Sequence, residues 1–380
     1  MNKLYILTVL LLLICSCKKN KSYQEEVTPS IEESFPAMPE DDEKLQLLTL
    51  SSMTFVSKNN PELIKDSLKL LLGDSRFITG GNWELAYYKY NDEKSTLVFI
   101  VKYTKLENTY AICSRGSNNE SAFNFLYDAD FVTTSKWPYK IDNNADLDIS
   151  KGIFDFHEAI LAGEGEAILP FTGSYTMDEY IDKILLDGKS SGKPFRLYFT
   201  GYSLGAAVST CLGASYLYKI VDKDSYPKIH VGIYAFAGPS IGTKPFVDYY
   251  NNLISTYKSP EDKTSLSFLR VYNNNGVVGR CFFDSINNSV NLGYPITLLV
   301  RGEVLFITKS VQKLLDSRNI QYYKIGDIAS GTAYSVIFDS LPGRKDLPET
   351  CHTLKEYIKY VDFNHDHNNM IQVLGGTTVP

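Results

Sequence analysis

Histidine is scarce in this chain, with five among 380 residues, at positions 157, 230, 352, 365 and 367. Any chemistry that needs an imidazole has only those five to draw on. A basic run is missing as well. Lys and Arg together number 38 against 44 Asp and Glu, for a net charge of −6, which sets nucleic acid aside as a partner. There is no internal repeat and no compositional break that would mark a second folded domain. A long apolar run is also absent beyond the N-terminus. The one that exists, Leu4 to Ile14, is too short to cross a bilayer as a mature helix.

That first run carries information of its own. Met1-Asn2-Lys3 makes a short basic start, and the apolar core ends in Ile14-Cys15-Ser16-Cys17. This is the layout of an export signal, and its end resembles the cleavage box of bacterial lipoproteins. Small Ser16 precedes Cys17, whereas bulky Ile14 precedes Cys15, so Cys17 is the expected lipidation site. Residues 1–16 are then the signal peptide. Residues 17–43 follow as a flexible acidic tether, with Glu25-Glu26, Glu32-Glu33, Asp41-Asp42-Glu43 and three prolines. Such a stretch cannot bury enough apolar area to offset its ordering entropy. The expected location is the cell envelope, on the outer membrane or the periplasmic face, with the membrane as a partner through Cys17. Cys113, Cys211, Cys281 and Cys351 remain for an oxidising compartment, where four cysteines allow three pairings.

From Lys44 the pattern becomes that of one folded domain, residues 44–380. Leu45, Leu48 and Met53, then Leu63, Leu68, Leu70 and Leu71, suit two helices, the second started by Asn60-Pro61. Trp83–Tyr90, Thr96–Tyr103 and Tyr110–Ser114 are rich in β-branched and aromatic residues and read as strands. Helices are expected over Gly152–Leu161 and Met177–Leu186, a buried strand over Phe195–Thr200 and a long helix over Leu204–Ile220. Ile229–Ala237 and Ser267–Tyr272 are further strands, and Val300–Ile307 reads as another within an otherwise unassigned stretch. Alternation of this kind predicts an α/β protein with a mainly parallel sheet and helices on both faces.

The segment that carries chemistry is Gly201-Tyr202-Ser203-Leu204-Gly205. A strand precedes it and a helix follows it. In that setting G-x-S-x-G places a serine on a sharp, strained turn with its hydroxyl exposed, at a helix N-terminus that favours developing negative charge. Tyr198 through Tyr218 resembles the nucleophile elbow of the class 3 (fungal-type) triacylglycerol lipases. Three more segments are similar to that family in the order it requires. They are Ala111–Ser117, like its oxyanion strand and turn, Asn124–Asp128, like its lid helix, and Tyr234–Gly242, like the strand and turn after the elbow helix. The similarity spans roughly residues 80–360.

The resemblance implies an α/β-hydrolase fold and ester hydrolysis on a lipid or other ester, with Ser203 as nucleophile. It implies oxyanion donors at the N–H of Leu204 and the N–H or hydroxyl of Ser117, and a lid over about residues 118–134. No metal or organic cofactor is required. The base follows the nucleophile in chain order in this fold, which leaves His352, His365 and His367. His352 stands before an amphipathic stretch, Thr353–Val361, similar to the family's histidine segment, and is favoured. His365-Asp366-His367 reads as a solvated turn, and His157 and His230 as packed or exposed side chains.

The acid departs from the family. Arg270-Val271-Tyr272-Asn273-Asn274-Asn275-Gly276 resembles the strand and loop that delivers the aspartate, whose place falls on Gly276. Asn275 or Asn274 orienting His352, Asp284 as a displaced carboxylate, or a site that has lost efficient catalysis all remain open. The last would leave a surface lipoprotein that binds lipid, glycan or protein. If the acid and histidine loops meet, Cys281 and Cys351 are the expected disulfide.

Overall fold

The computed structural model describes residues 40–56, 60–91, 96–115, 130–141, 146–221, 226–259, 262–273, 313–325 and 335–338. All of them belong to the compact unit Ala37–Pro380. The signal peptide, Cys17 and the strand read at 300–307 lie outside the described residues.

A nine-stranded sheet organises this unit, in the order β13-β11-β9-β8-β3-β2-β1-β6-β7. Its strands are β1 (Trp83–Asn91), β2 (Thr96–Tyr103), β3 (Thr109–Ser114), β6 (Glu164–Ala167), β7 (Gly173–Thr176), β8 (Phe195–Tyr202), β9 (Ile229–Phe236), β11 (Thr264–Asn273) and β13 (Ser335–Phe338). The sheet is mixed, and connection length explains where it changes. From β13 to β3 every neighbouring pair is parallel. There α5 (Leu204–Ile220) joins β8 to β9, and α6 (Lys244–Thr256) lies between β9 and β11. From β3 to β7 every pair is antiparallel, because the short turns linking β1, β2 and β3 cannot carry a crossover. The α/β-hydrolase fold expected from the sequence is therefore present, with its parallel character confined to one half of the sheet.

Alternation along each strand sorts side chains to two faces. Phe195, Leu197 and Phe199 of β8 and Tyr110 and Ile112 of β3 join one core, under α3 (Lys151–Leu161), α4 (Met177–Ser190), α5 and α6. Tyr198 and Tyr202 of β8 and Ala111 and Cys113 of β3 join the other, under α1 (Glu40–Met53) and α2 (Ile64–Leu72). Helices thus cover both faces, as alternation predicted. Local chemistry starts them where expected. Thr176 and Glu179 form a reciprocal capping box on α4. α5 is buried on nearly every side, so it sits as a core helix and not as an amphipathic cover. β8 beneath it is buried at all eight positions.

A second sheet, β12-β10-β5-β4, is built from four short strands. These are β4 (Thr134–Lys136), β5 (Asp148–Ser150), β10 (Gly242–Thr243) and β12 (Tyr322–Tyr323). None of the four is legible as a strand from periodicity, since two or three residues cannot show one. The C-terminal end of the lid expected at 118–134 is anchored beside this sheet. Phe131 is buried, its carbonyl accepts from the Tyr322 hydroxyl at 2.8 Å, and Thr134 opens β4.

The tether reading of residues 17–43 runs too far. Helix α1 begins at Glu40, and Glu43 is only 8% exposed. Its carboxylate accepts from the Tyr198 hydroxyl at 2.6 Å and from the Tyr234 hydroxyl. Burial and then the neighbouring Glu43 charge hold both phenols well above their ordinary pKa, so they stay protonated donors. A glutamate read as tether charge is thus a buried clasp between α1 and the parallel strands. Glu43→Ala would leave two buried hydroxyls without their acceptor, and a loss of roughly 2–4 kcal/mol is expected from urea unfolding. Glu43→Gln should lose less, because the amide oxygen can still accept. A Glu43→Ala midpoint equal to wild type would show that the clasp is not holding α1.

Candidate active site

β8 ends at Tyr202 and α5 begins at Leu204, so one residue makes the whole turn. That residue is Ser203, with φ 57° and ψ −125°. A non-glycine residue there costs on the order of 1–3 kcal/mol and persists only where its surroundings impose it. Those surroundings are visible. The Ser203 N–H donates to the Phe236 carbonyl at 2.9 Å, and its own carbonyl accepts from Ala206 N–H at 3.0 Å. Strand β9 thus holds the serine on one side and the first turn of α5 on the other. The side chain is half-buried, unlike Tyr202 and Leu204 on either side, which are fully buried.

Gly201 makes the turn possible. A Cβ there would stand 2.3 Å from the backbone C and O of Gly205 and 2.8 Å from the N of Ala206. No backbone relaxation of a few tenths of an ångström removes such overlaps. Gly238, just beyond β9, is close-packed in the same way. A Cβ there would lie 2.8 Å from the Ala206 Cβ. Directly after β9 a further non-glycine residue stands at positive φ, Ala237 at 51°. Its N–H donates to the Val271 carbonyl at 2.8 Å, and buried Arg270 donates to the Gly238 carbonyl at 2.9 Å.

On the other flank β3 runs parallel to β8, with Ser114 opposite Gly201. Ser114 is fully buried and donates to the Gly205 carbonyl at 2.8 Å. Arg115 follows, 3% exposed, with its Nε donating to the Thr54 carbonyl at 2.6 Å and its N–H to the Leu97 carbonyl at 2.8 Å. Burial lowers the pKa of its guanidinium, with the phenols of Tyr90 and Tyr88 opposing that. Ser114, Arg270 and Ala237 carried no sequence signal as parts of this junction. Two are polar residues inside buried strands, and the only hint was that a polar side chain there must find a partner.

Of the residues expected to form the site, Ser203 and Leu204 are described and stand together at the start of α5. Ser117, Asn274, Asn275, Gly276, Asp284, His352, His365 and His367 lie outside the described residues, as do Cys281 and Cys351. Cys113 and Cys211 are free and buried, and burial pushes both thiols up.

The two described histidines are far from Ser203. His157 on α3 reaches Ser215 Oγ with its Nε2 at 3.0 Å and Glu158 Oε1 with its Nδ1 at 3.0 Å. This is a serine–histidine–carboxylate set by geometry alone, yet it is closed. His157 and Ser215 are fully buried, and the Ser215 hydroxyl donates to the Leu212 carbonyl at 2.9 Å. Ser215 also lies twelve residues beyond Ser203 on α5, about 18 Å along the axis. His230 contacts Ser265 Oγ at 2.9 Å and Ser267 Oγ at 3.1 Å. It precedes Phe236 by six residues of extended strand, about 20 Å. Neither imidazole can take a proton from Ser203. Among the described residues no cluster of three or more His, Cys, Asp or Glu side chains could hold a metal.

Burial, with Arg196 nearby, pushes the His230 pKa down to about 4. The unfolded chain therefore binds the proton more readily, and this contribution to stability is complete above about pH 6.5. It is lost as pH falls toward 4, by up to about 3 kcal/mol. His230→Gln is expected to flatten the stability profile across that window, read by urea midpoints at pH 4, 5.5 and 7. An unchanged slope would show that His230 titrates normally.

Comparison with known proteins follows the same lines. A structure of M37 lipase is similar over 87% of this chain and 93% of that chain, with 17% identity and a TM-score of 0.63. The Rhizomucor miehei lipase–propeptide complex matches 64% of each chain at 15% identity, with a TM-score of 0.43. Lipase II from Rhizopus niveus matches 63% of this chain and 73% of its own at 11% identity, with a TM-score of 0.42. No curated protein sequence matches the chain. The family model for lipase (class 3) matches residues 111–285. This stretch, from β3 through the turn at Ser203 to the end of β11 and beyond, is where the chain is similar to the class 3 lipases.

Proposed function

We propose that the protein is a serine carboxylic ester hydrolase of the lipase type, acting through an acyl-enzyme. The observation that carries this reading is Ser203, held at positive φ at the N-terminus of a buried 17-residue helix. The positive end of that helix and the N–H of Leu204 favour an oxyanion formed on a carbonyl carbon attacked by Ser203 Oγ. In the proposed cycle the serine proton passes to His352 as the bond to carbon forms. Leu204 N–H and Ser117 stabilise the tetrahedral oxyanion, and the alcohol departs with the proton from His352. Water then attacks the acyl-enzyme by the same steps and frees the acid. The substrate class is a lipid or other carboxylic ester.

Topology supports the assignments beyond the described residues. β8, β9, β11 and β13 are parallel, so all four leave the sheet at one edge. Asn273 at the end of β11 pairs with Phe338 at the end of β13. The chain toward Asn274, Asn275 and Gly276 and the chain toward His352 therefore start side by side. The first starts two strands from β8, about 10 Å away in the sheet plane, and the second three strands away, about 14 Å. With His157 and His230 excluded by distance, the base is drawn from the three C-terminal histidines. Asn275 is the proposed orienter of His352, through an amide oxygen that accepts the Nδ1–H, with Asp284 as the competing carboxylate. Attachment to the cell envelope through a lipidated Cys17 completes the reading. No described helix is long and apolar enough to cross a membrane.

A fluorophosphonate probe, which modifies only activated serines, is expected to label wild type at Ser203 and not at Ser215. Ser203→Ala should abolish labelling and hydrolysis of a short p-nitrophenyl ester. His352→Ala should lower kcat by about 10³-fold or more, and Gly276→Asp should raise it by at most about 10⁴-fold. Loss of activity on Asp284→Asn, with Asn275→Ala unaffected, would reassign the acid. A wild type inert to both probe and ester would favour the binding-protein reading. Separately, Cys17→Ser should move the protein from the membrane fraction to the soluble one, and unchanged partitioning would defeat the anchor.

A further inference from the structure

Ser114 is the last residue of β3 and faces the same side of the sheet as Tyr110 and Ile112, the side covered by α5. It is fully buried, and so is Ser209 on α5. The two hydroxyl oxygens are 2.6 Å apart. Ser114 Oγ also lies 2.8 Å from the Gly205 carbonyl, and Ser209 Oγ lies 2.7 Å from the Thr200 carbonyl. Three contacts share two hydroxyl protons. Ser114 donates to the Gly205 carbonyl, and the Ser209 proton goes either to Ser114 Oγ or to the Thr200 carbonyl. In both arrangements Ser114 ties the end of β3 to the first turn of α5, with the Ser209 hydroxyl beside it.

A polar group in a core layer costs free energy unless bonded, so the effect of this chain matters. Backbone pairing of Ser114 with Gly201 fixes β3 against β8 within the sheet plane. It does nothing to fix the helix above that plane. The Ser114 hydroxyl supplies the missing direction, a tie from the end of β3 to the carbonyl one residue beyond Leu204. The strand end is itself immobilised, since Arg115 is bonded to the Leu97 and Thr54 carbonyls.

We propose that Ser114 is a positioning residue that holds the first turn of α5, and with it the Leu204 N–H, against the end of β3. This inference rests on the reading of Ser203 as the nucleophile. An N–H donor serves a tetrahedral oxyanion only at a set distance, and a small misplacement is felt in kcat before it is felt in substrate binding. Ser209 is the hydroxyl partner, but its loss leaves the Ser114–Gly205 bond in place.

The test compares full-length Ser114→Ala and Ser209→Ala with wild type on p-nitrophenyl butyrate, with an alkyl boronic acid as the tetrahedral probe. Ser114→Ala is expected to lower kcat about tenfold with KM within twofold, and to weaken boronate inhibition by the same factor. Ser209→Ala should keep kcat and boronate inhibition within twofold of wild type, although both variants melt lower. Ser114→Cys keeps the volume and a weak bond, should fall between, and serves if the alanine variant does not fold. Equal rate losses in Ser114→Ala and Ser209→Ala, following their melting temperatures, would mean that Ser114 is only structural and would overturn the proposal. So would an unimpaired Ser114→Ala in an active wild-type background. A wild type that hydrolyses no ester and captures no fluorophosphonate would overturn this inference together with the functional reading.

Discussion

The structure around the candidate site depends on one backbone conformation, the positive φ of Ser203 between β8 and α5. The residue pays no dividend to stability by itself. A strand that becomes a helix in one residue must bring Gly201 against Gly205, so no side chain can stand at 201, and α5 must lie tight on the sheet. Tight packing then explains the small residues in the first turns of α5 and at Gly238. It also explains why buried polar side chains collect here. Ser114 and Arg270 grip carbonyls on either side of the turn, and each bond holds a piece of backbone that hydrophobic contact alone would let slide.

The face of the sheet away from α5 contributes to the same end. α1 lies across β8, β3 and β9; its Leu47 carbonyl accepts from Thr200, and the Thr54 carbonyl just past its end accepts from Arg115. Glu43 closes the first turn of that helix on Tyr198 and Tyr234. The N-terminal helix is therefore part of the scaffold behind the site.

Among the described residues, Ser215 has a histidine with a carboxylate behind it and Ser203 has a strained turn, and burial separates them. Ser215 has the hydrogen-bond partners of a triad but no path for a substrate. Ser203 has the strained turn, the helix N-terminus and partial exposure, on the edge where the parallel strands end. A search for serine near histidine would select the first, and a reading of backbone and topology selects the second. Access and electrostatics separate the two serines more sharply than a contact list does.

The sequence by itself determined the local pieces. The strand–serine–helix pattern, the bounds of α5, the β1–β2–β3 run and the two N-terminal helices are short-range consequences of periodicity, turn residues and glycine spacing. It could also reduce the choice of base to a few histidines, because there are only five. Tertiary structure decided what depends on partners far along the chain. It placed the switch from parallel to antiparallel pairing at β3. It formed a second sheet from strands too short to show a period. It buried Glu43 at 8% exposure, where composition read a solvated acidic tether. It also supplied the distances along α5 and β9 that keep His157 and His230, already set aside by chain order, away from Ser203. Charge and polarity are properties of a residue, but burial and reach are properties of the fold, and the site needed both.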